Sequence, residues 1–174
     1  GTAPVAAVSW NQAARYCNWL TSGDTTIGAY SIGAGDKVDG VTAHNGLAMD
    51  ALVSSHGVVY VLPTEDEWYK AAYYTGSGYS LFQNGTSTAP ALGDAVYGGL
   101  GSPDTVGTGA LEQNGTFDMG GNLQEWIEDA TAGGEALDFN NDSQDMALRG
   151  GAYWSNATGL RSDGSRFSYP PFII

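Results

Sequence analysis

The sequence predicts a fold made largely of turns and irregular chain, with helices and short strands set inside it, rather than a helical bundle. Three observations predict this. The 174 residues carry 26 glycines against 6 prolines, about twice the usual glycine share. Two stretches, opening at Ser9 and Thr64, have amphipathic helix patterns behind good N-caps. Short β-branched or aromatic runs, VVYVL at 58–62 and ALRGGAYW at 147–154, read as strands. The length suits one domain, 1–174, able to bury roughly 70% of its unfolded surface.

In chain order, PVAAVS is an extended entry and Ser9 an N-cap. Trp10, Ala13, Ala14, Cys17 and Leu20 then recur at helical spacing, with Asn11, Gln12 and Arg15 on the other face. Residues 28–57 are glycine-rich, with a short strand expected near Ala29–Ile32 and a helical turn near Leu47–Val53. VVYVL is a strand signal ended by Pro63. Thr64-Glu65-Asp66-Glu67 is a capping box opening the second helix, whose acids suit the helix dipole. Residues 76–112 show no sustained period and read as a long ordered loop with a short hairpin near Ala95–Gly99. In 147–154 the glycine pair marks a strand approached by another backbone.

Composition excludes several functions. The formal net charge is −13, with six basic side chains. Nucleic acid and anionic membranes need clustered Lys and Arg, so neither is an expected partner. Cys17 is the only cysteine, which excludes an intrachain disulfide and a Cys-rich zinc site. It falls on the apolar stripe, where a buried inert thiol is expected. His44 and His56 cannot build a His-rich ligand set. No run of about twenty apolar residues exists to span a membrane.

The chemistry concentrates in QNGTFDMGGNLQEW, 113–126. Its glycines permit sharp turns, Phe117 and Met119 are candidates to point inward, and Asp118, Asn122 and Glu125 supply oxygens. Calcium binds through about six to eight oxygens, so this stretch is a candidate site. Spacing alone favours the competing reading, a tight turn between core segments with its acids in water.

Four segments in this order, PVAAVSWNQAARYCNWL, VLPTEDEWYKAAYY, GTFDMGGNLQEW and LRGGAYW, resemble the formylglycine-generating enzyme family, also called the sulfatase-modifying factor domain. The nearest likeness is to bacterial members carried by exported, surface-sorted proteins. The resemblance implies an α+β fold related to C-type lectins, with two helices, small antiparallel sheets and much irregular chain. It implies an extracellular or cell-surface location. The chain opens at GTAPV and stops at PPFII in mid-pattern, so the domain is expected to be incomplete at both ends.

The resemblance also sets expectations for the site. Oxidase members place a copper-binding cysteine pair just after RGG, where this chain has Ser155 and, near the second position, Leu160. The family's sulfoxide synthases use a histidine-bound iron, for which this chain lacks histidines. Neither copper nor iron is therefore expected. The family's better calcium site matches Asp118, the main-chain oxygens of Gly121 and Leu123, and the Glu125 carboxylate. Alternating oxygens at 121, 123 and 125 would face one side of an extended segment. A weaker second site would fall at Asp94 and Ala95, its partner acid replaced within Gly98-Gly99.

Lesser signals have plainer readings. DFNND at 138–142 begins like a calcium loop, but Ser143 and Arg149 stand where glycine and glutamate belong, so a solvated acidic loop is expected. Asn84, Asn114, Asn141 and Asn156 head glycosylation acceptor patterns of a kind that arise by chance in such a chain. Arg149 is expected in a buried ion pair with Glu65, Glu67 or Glu125. Ser155 has no histidine to activate it as a nucleophile.

Together these point to a non-enzymatic surface module whose candidate contact surface is Tyr153, Trp154, Ser155, Asn156, Arg161, Arg166, Phe167 and Tyr169. Expected partners are a protein or glycan ligand and further copies in an oligomer or fibre. An oxidoreductase with a diverged metal site is the alternative.

Overall fold

The computed structural model describes residues 2–130, 137–139, 141, 144–164 and 166–171. Its first element is α1 (Trp10–Ser22). Ser9 Oγ accepts from the Gln12 N–H, and Gln12 Oε1 accepts from the Ser9 N–H at 3.0 Å. Gln12 thus completes a capping box of which the sequence reading names only Ser9. Gly23 ends the helix at φ 80°, a left-handed cap that glycine adopts without a Cβ penalty.

The buried side of α1 holds Trp10, Ala14 and Cys17, and also Asn11 and Asn18. This corrects the placement of Asn11 on the polar face. Asn11 Oδ1 accepts from the Val38 N–H at 3.0 Å. Asn18 Oδ1 accepts from the Tyr30 N–H, and its Nδ2 donates to the Tyr30 carbonyl at 2.8 Å. Both amides satisfy main-chain groups of the hairpin that follows, where an unpaired buried group would be costly. That hairpin is β1 (Tyr30–Ile32) and β2 (Val38–Val41), antiparallel, with Tyr30 opposite Val41.

α2 (Leu47–His56) is a full helix where a single turn was expected, which gives three α-helices among the described residues where two were expected. Residues 58–62 are not a strand, contrary to their composition. The Tyr60 N–H donates to Thr21 Oγ1 at 2.9 Å and the Leu62 N–H to Tyr30 Oη at 2.7 Å. Side-chain acceptors stand in for a ladder partner, and β propensity alone does not supply one.

α3 (Glu65–Tyr73) begins with the expected Thr64–Glu67 capping box. Asn114 closes its other end, its Nδ2 donating to the carbonyls of Ala71 and Tyr74 at 2.9 and 2.8 Å. The long 76–112 stretch carries no hairpin at 95–99. Gly98 and Gly99 are left-handed there, and their N–H groups donate to the Ser155 and Tyr153 carbonyls.

β3 (Glu125–Ala130), β4 (Met146–Arg149) and β5 (Phe167–Tyr169) form an antiparallel sheet in the order β3-β4-β5. Glu125 sits opposite Arg149, and Leu148 opposite Phe167. The strand expected over 147–154 stops at Arg149, because Gly150 and Gly151 turn to φ 92° and 70°. The expected close approach is there: the Gly121 N–H donates to the Gly150 carbonyl at 2.8 Å.

Trp10, Tyr30 and Met146 centre one core cluster, Trp68, Tyr73 and Ile127 a second, and Phe82, Tyr97 and Leu160 a third. The architecture is the expected α+β type, with small antiparallel sheets and much irregular chain. Among the described residues no helix is long and apolar enough to cross a membrane.

Candidate functional site: the 112–125 turn and the surface around Trp154

The turn before β3 is built from left-handed residues. Asp118, Gly121 and Asn122 have φ of 61°, 97° and 57°. A Cβ on Gly121 would lie 2.4 Å from the Val96 carbonyl oxygen, so only glycine fits. Asn122 is 2% exposed and knits three loops together. Its N–H donates to the Val96 carbonyl at 2.7 Å, its carbonyl accepts from the Tyr153 N–H, and its Oδ1 accepts from the Asp104 N–H.

Left-handed Gly121 and Asn122 interrupt the extended segment that the alternation assumes. Asp118, Leu123 and Glu125 line one cavity of about 510 Å³, while Gly121 does not line it. Asp118 Oδ2 accepts from the Gly107 N–H at 2.7 Å. Glu125 Oε2 accepts from Trp68 Nε1 at 2.5 Å. Among the described residues no three His, Cys, Asp or Glu side chains are grouped as metal ligands. A cation here would depend on two carboxylates and main-chain oxygens, the donor set of a hard ion.

Burial dominates the electrostatics. It pushes the Glu125 carboxyl up to about 7; the Trp68 hydrogen bond opposes this, and the charges of Glu112 and Asp118 add to it. Glu112, which the sequence reading passes over, is 8% exposed. Burial pushes it up to about 7 as well, against hydrogen bonds from Thr116 and the main-chain N–H groups of Met119 and Gly120. Its one sequence signal is Thr116, whose hydroxyl donates to Glu112 Oε2 at 2.8 Å. Phe117, a candidate to point inward, is 45% exposed, whereas Met119 is buried.

The Asp94 carbonyl accepts from the Ala110 N–H at 2.9 Å, and Ala95 packs in the third core cluster. Of the DFNND loop, Asn140 and Asp142 lie outside the described residues, as does Ser143. Among the acceptor asparagines, Asn84 and Asn156 Oδ1 accept from the N–H two residues on, which is local turn chemistry.

The family's copper position is filled by other groups. Ser155 Oγ accepts from the Ala152 N–H at 3.0 Å. Leu160 is fully buried against Phe82, Ala95 and Tyr97. The one thiol, Cys17, is buried in α1 and pushed up to about 11, chiefly by that burial. These residues do not fit a thiolate copper site.

The candidate surface divides in two. Tyr153, Trp154 and Tyr169 meet Trp126 and Gln124 around a cavity of about 440 Å³. Trp154 is exposed, and Tyr153 packs edge-on to it at 4.6 Å. Asn156 is exposed beside them. Ser155 is half-buried beneath, and Phe167 is half-buried in β5. Both arginines are held by acids. Arg161 is paired with Asp163 at 2.6 Å, and Arg166 reaches Glu65 at 3.2 Å. Of the acids expected for Arg149, Glu65 is the partner, at 2.7 Å. A larger groove of about 1090 Å³ runs between α1 and α3, with Trp68, Trp126, Glu67 and Glu125 in its walls.

Three solved structures share this fold. Treponema denticola variable protein 1 matches at 23% identity and a TM-score of 0.68, over 98% of this chain and 67% of that one. CarF matches at 22% identity and a TM-score of 0.61, over 98% of this chain and 63% of its own. PvdO from Pseudomonas aeruginosa matches at 18% identity and a TM-score of 0.59, over 99% of this chain and 58% of its own. The chain thus spans about two thirds or less of each. No curated protein matches it. Residues 1–172 match the family described as the sulfatase-modifying factor enzyme 1-like domain. With the capping boxes, the glycine-bound turn and the RGG segment all in place, the chain belongs to the formylglycine-generating enzyme, or sulfatase-modifying factor, family.

Proposed function

We propose that this chain is a binding or structural module on the formylglycine-generating-enzyme scaffold, exported to the cell surface and acting by recognition instead of turnover. One observation carries the reading. Where oxidase members hold their cysteine pair, Ser155 spends its hydroxyl as an acceptor for the Ala152 N–H, and Leu160 fills the core. Beside them Trp154 and Tyr169 stand exposed on a fixed body, at a cavity with a polar Gln124 edge. Rigid aromatics with adaptable polar neighbours suit contact with a protein or glycan. The test is a redox assay with copper, run with and without a cysteine-containing peptide. No turnover above the copper-only background is expected. Turnover that survives Cys17→Ser would replace this reading with the oxidoreductase one.

Calcium at Asp118, Gly121, Leu123 and Glu125 is part of the proposal, and three of the four line one cavity. Its support is that Glu112, buried, and Glu125, half-buried, are pushed up towards neutrality, chiefly by burial and further by neighbouring acids that include Asp118. A cation would offset both the burial cost and the repulsion.

A further inference from the structure

His44, in the loop joining β2 to α2, is held between carboxylates from two other elements. Its Nδ1 lies 2.8 Å from Glu67 Oε2 on α3, and its Nε2 lies 3.0 Å from Glu128 Oε2 on β3. The side chains of His44 and Glu128 are 13% and 12% exposed. An ionised carboxylate only accepts, so each ring nitrogen must donate. A neutral imidazole has one N–H and an imidazolium has two. The geometry therefore calls for a proton on both nitrogens.

The contacts continue past the carboxylates. Glu128 Oε2 also accepts from Tyr30 Oη, which in turn accepts from the Leu62 N–H. Glu67 Oε2 also accepts from the Thr64 N–H at the head of α3. One imidazolium thus links the 42–46 loop to α3 and β3 directly, and to β1 and the 58–63 segment through Tyr30. The helix behind it is held by few apolar contacts: Met49 is its one buried residue, and Leu52 packs half-buried against the same core cluster. Leu62, Pro63 and Glu67 also form one wall of the groove between α1 and α3.

We propose that His44 is a proton-operated latch that fastens the 42–46 loop and α2 to the body and firms that wall of the groove. Loss of one proton leaves a single N–H. One carboxylate then faces a ring lone pair at about hydrogen-bond distance, and that end of the latch opens. The titratable groups around it are Glu67, Glu128, the Tyr30 hydroxyl and, beyond Glu128, the Cys17 thiol. Burial pulls the His44 pKa down, but the charges and hydrogen bonds of Glu128 and Glu67 outweigh it and leave it raised above 6.5. A raised folded value gives stability that is complete below 6.5 and is lost as pH rises through the folded value. The latch is closed below the His44 midpoint, down to where the Glu128 carboxyl, itself raised by burial, takes a proton, and it opens towards alkali.

The test combines NMR titration of the imidazole, assigned against His44→Gln, with amide exchange across 47–56. The His44 midpoint should lie above 6.5, the ordinary value. At pH about 6, His44→Gln should exchange the α2 amides at least about tenfold faster than wild type, and this ratio should shrink towards one in alkali. If that variant does not fold, Glu67→Gln keeps a capping-box residue and should lower the His44 midpoint. A midpoint at or below the ordinary value, an exchange ratio that ignores pH, or a midpoint unmoved by Glu67→Gln would each overturn the latch. A stoichiometric zinc complex at His44 that abolishes the titration would overturn it in favour of a metal site.

Discussion

Trp68 Nε1 donates to Glu125 Oε2 at 2.5 Å, joining the middle of α3 to the first residue of β3. It is the one hydrogen-bond donor to that carboxylate among the described residues. A half-buried ion so thinly supported is costly when charged. In metal-free protein this fixes the sign of a pH effect. Glu125 and Glu112 rise from 4.5 to about 7 on folding. The folded state then prefers their protons, so stability is complete below about pH 4.5 and falls as pH rises through about 7. In EDTA at pH about 8, Glu125→Gln should therefore be more stable than wild type by on the order of 1–3 kcal/mol. Urea unfolding at several pH values measures this. A variant less stable than wild type under those conditions would show that the charge is not the problem.

Arg149 is a buried ion, and it is better supported. Its guanidinium lies 2.7 Å from Glu65 and over the rings of Trp68 and Tyr69, at 5.3 and 5.8 Å. Arg166 shares the same Glu65 oxygen from a more exposed position. Arg149→Met should cost about 3–5 kcal/mol, because it leaves a buried carboxylate short of its main partner. Arg149→Lys should recover only part, since an ammonium has no planar fork. Arg166→Met should cost about 1 kcal/mol or less. Equal losses at Arg149 and Arg166 in denaturant titrations would mean that the pair is shared evenly and the ranking is wrong.

These residues show what a sequence does and does not expose. The Ser9 and Thr64 caps were legible because capping is local, settled within four residues. The four motif segments carried the fold class through the family that their order and content resemble. The 58–62 run misled because strand composition cannot report a missing partner, and Thr21 and Tyr30, which take its hydrogen bonds, lie far away in the chain. Asn11 misled because helical spacing sorts residues by polarity, while its amide is buried to serve the Val38 N–H. At the site, Asp118 and Glu125 were legible as oxygen donors. The left-handed pair Gly121 and Asn122, which breaks the extended segment there, was not. Glu112 was hidden because its role depends on a chain crossing that delivers the Met119 and Gly120 N–H groups.

Self-association is the prediction tied to the sheet edge. β5 pairs with β4 on one side and is the last strand in the sheet order. Its Tyr169 is 46% exposed, and residues 172–174 lie outside the described part. Among the described residues no strand pairs with the other side of β5, and an edge of that kind, with Phe167 and Tyr169 on it, invites another strand. Sedimentation should show concentration-dependent association. Tyr169→Lys, which puts a charge on that edge, should weaken it while changing the melting temperature little. A monomer at every concentration would remove the idea. Association that Tyr169→Lys leaves untouched would move it to another surface.

Calcium is the sharpest test of the turn, because it reverses the sign of the Glu125 substitution. Without a cation, the carboxylates of Asp118 and Glu125 and the nearby Glu112 repel one another, and Glu125→Gln relieves that. With calcium bound, the same charge becomes a ligand, and Glu125→Gln removes it together with the bidentate option. Binding to the folded state alone stabilises by RT ln(1 + [L]/Kd), about 2.7 kcal/mol at a hundredfold excess over Kd. Wild type should therefore melt higher in calcium than in EDTA, and Glu125→Gln should lose most of that difference. Asp118→Asn should lose less, since its carboxylate already accepts from the Gly107 N–H and an amide oxygen can do the same. Comparing the two variants in both buffers separates ligation from mere packing. A wild-type melting temperature indifferent to calcium and EDTA would mean that Trp68 and the protons on Glu112 and Glu125 settle the turn by themselves, and that no ion is held there.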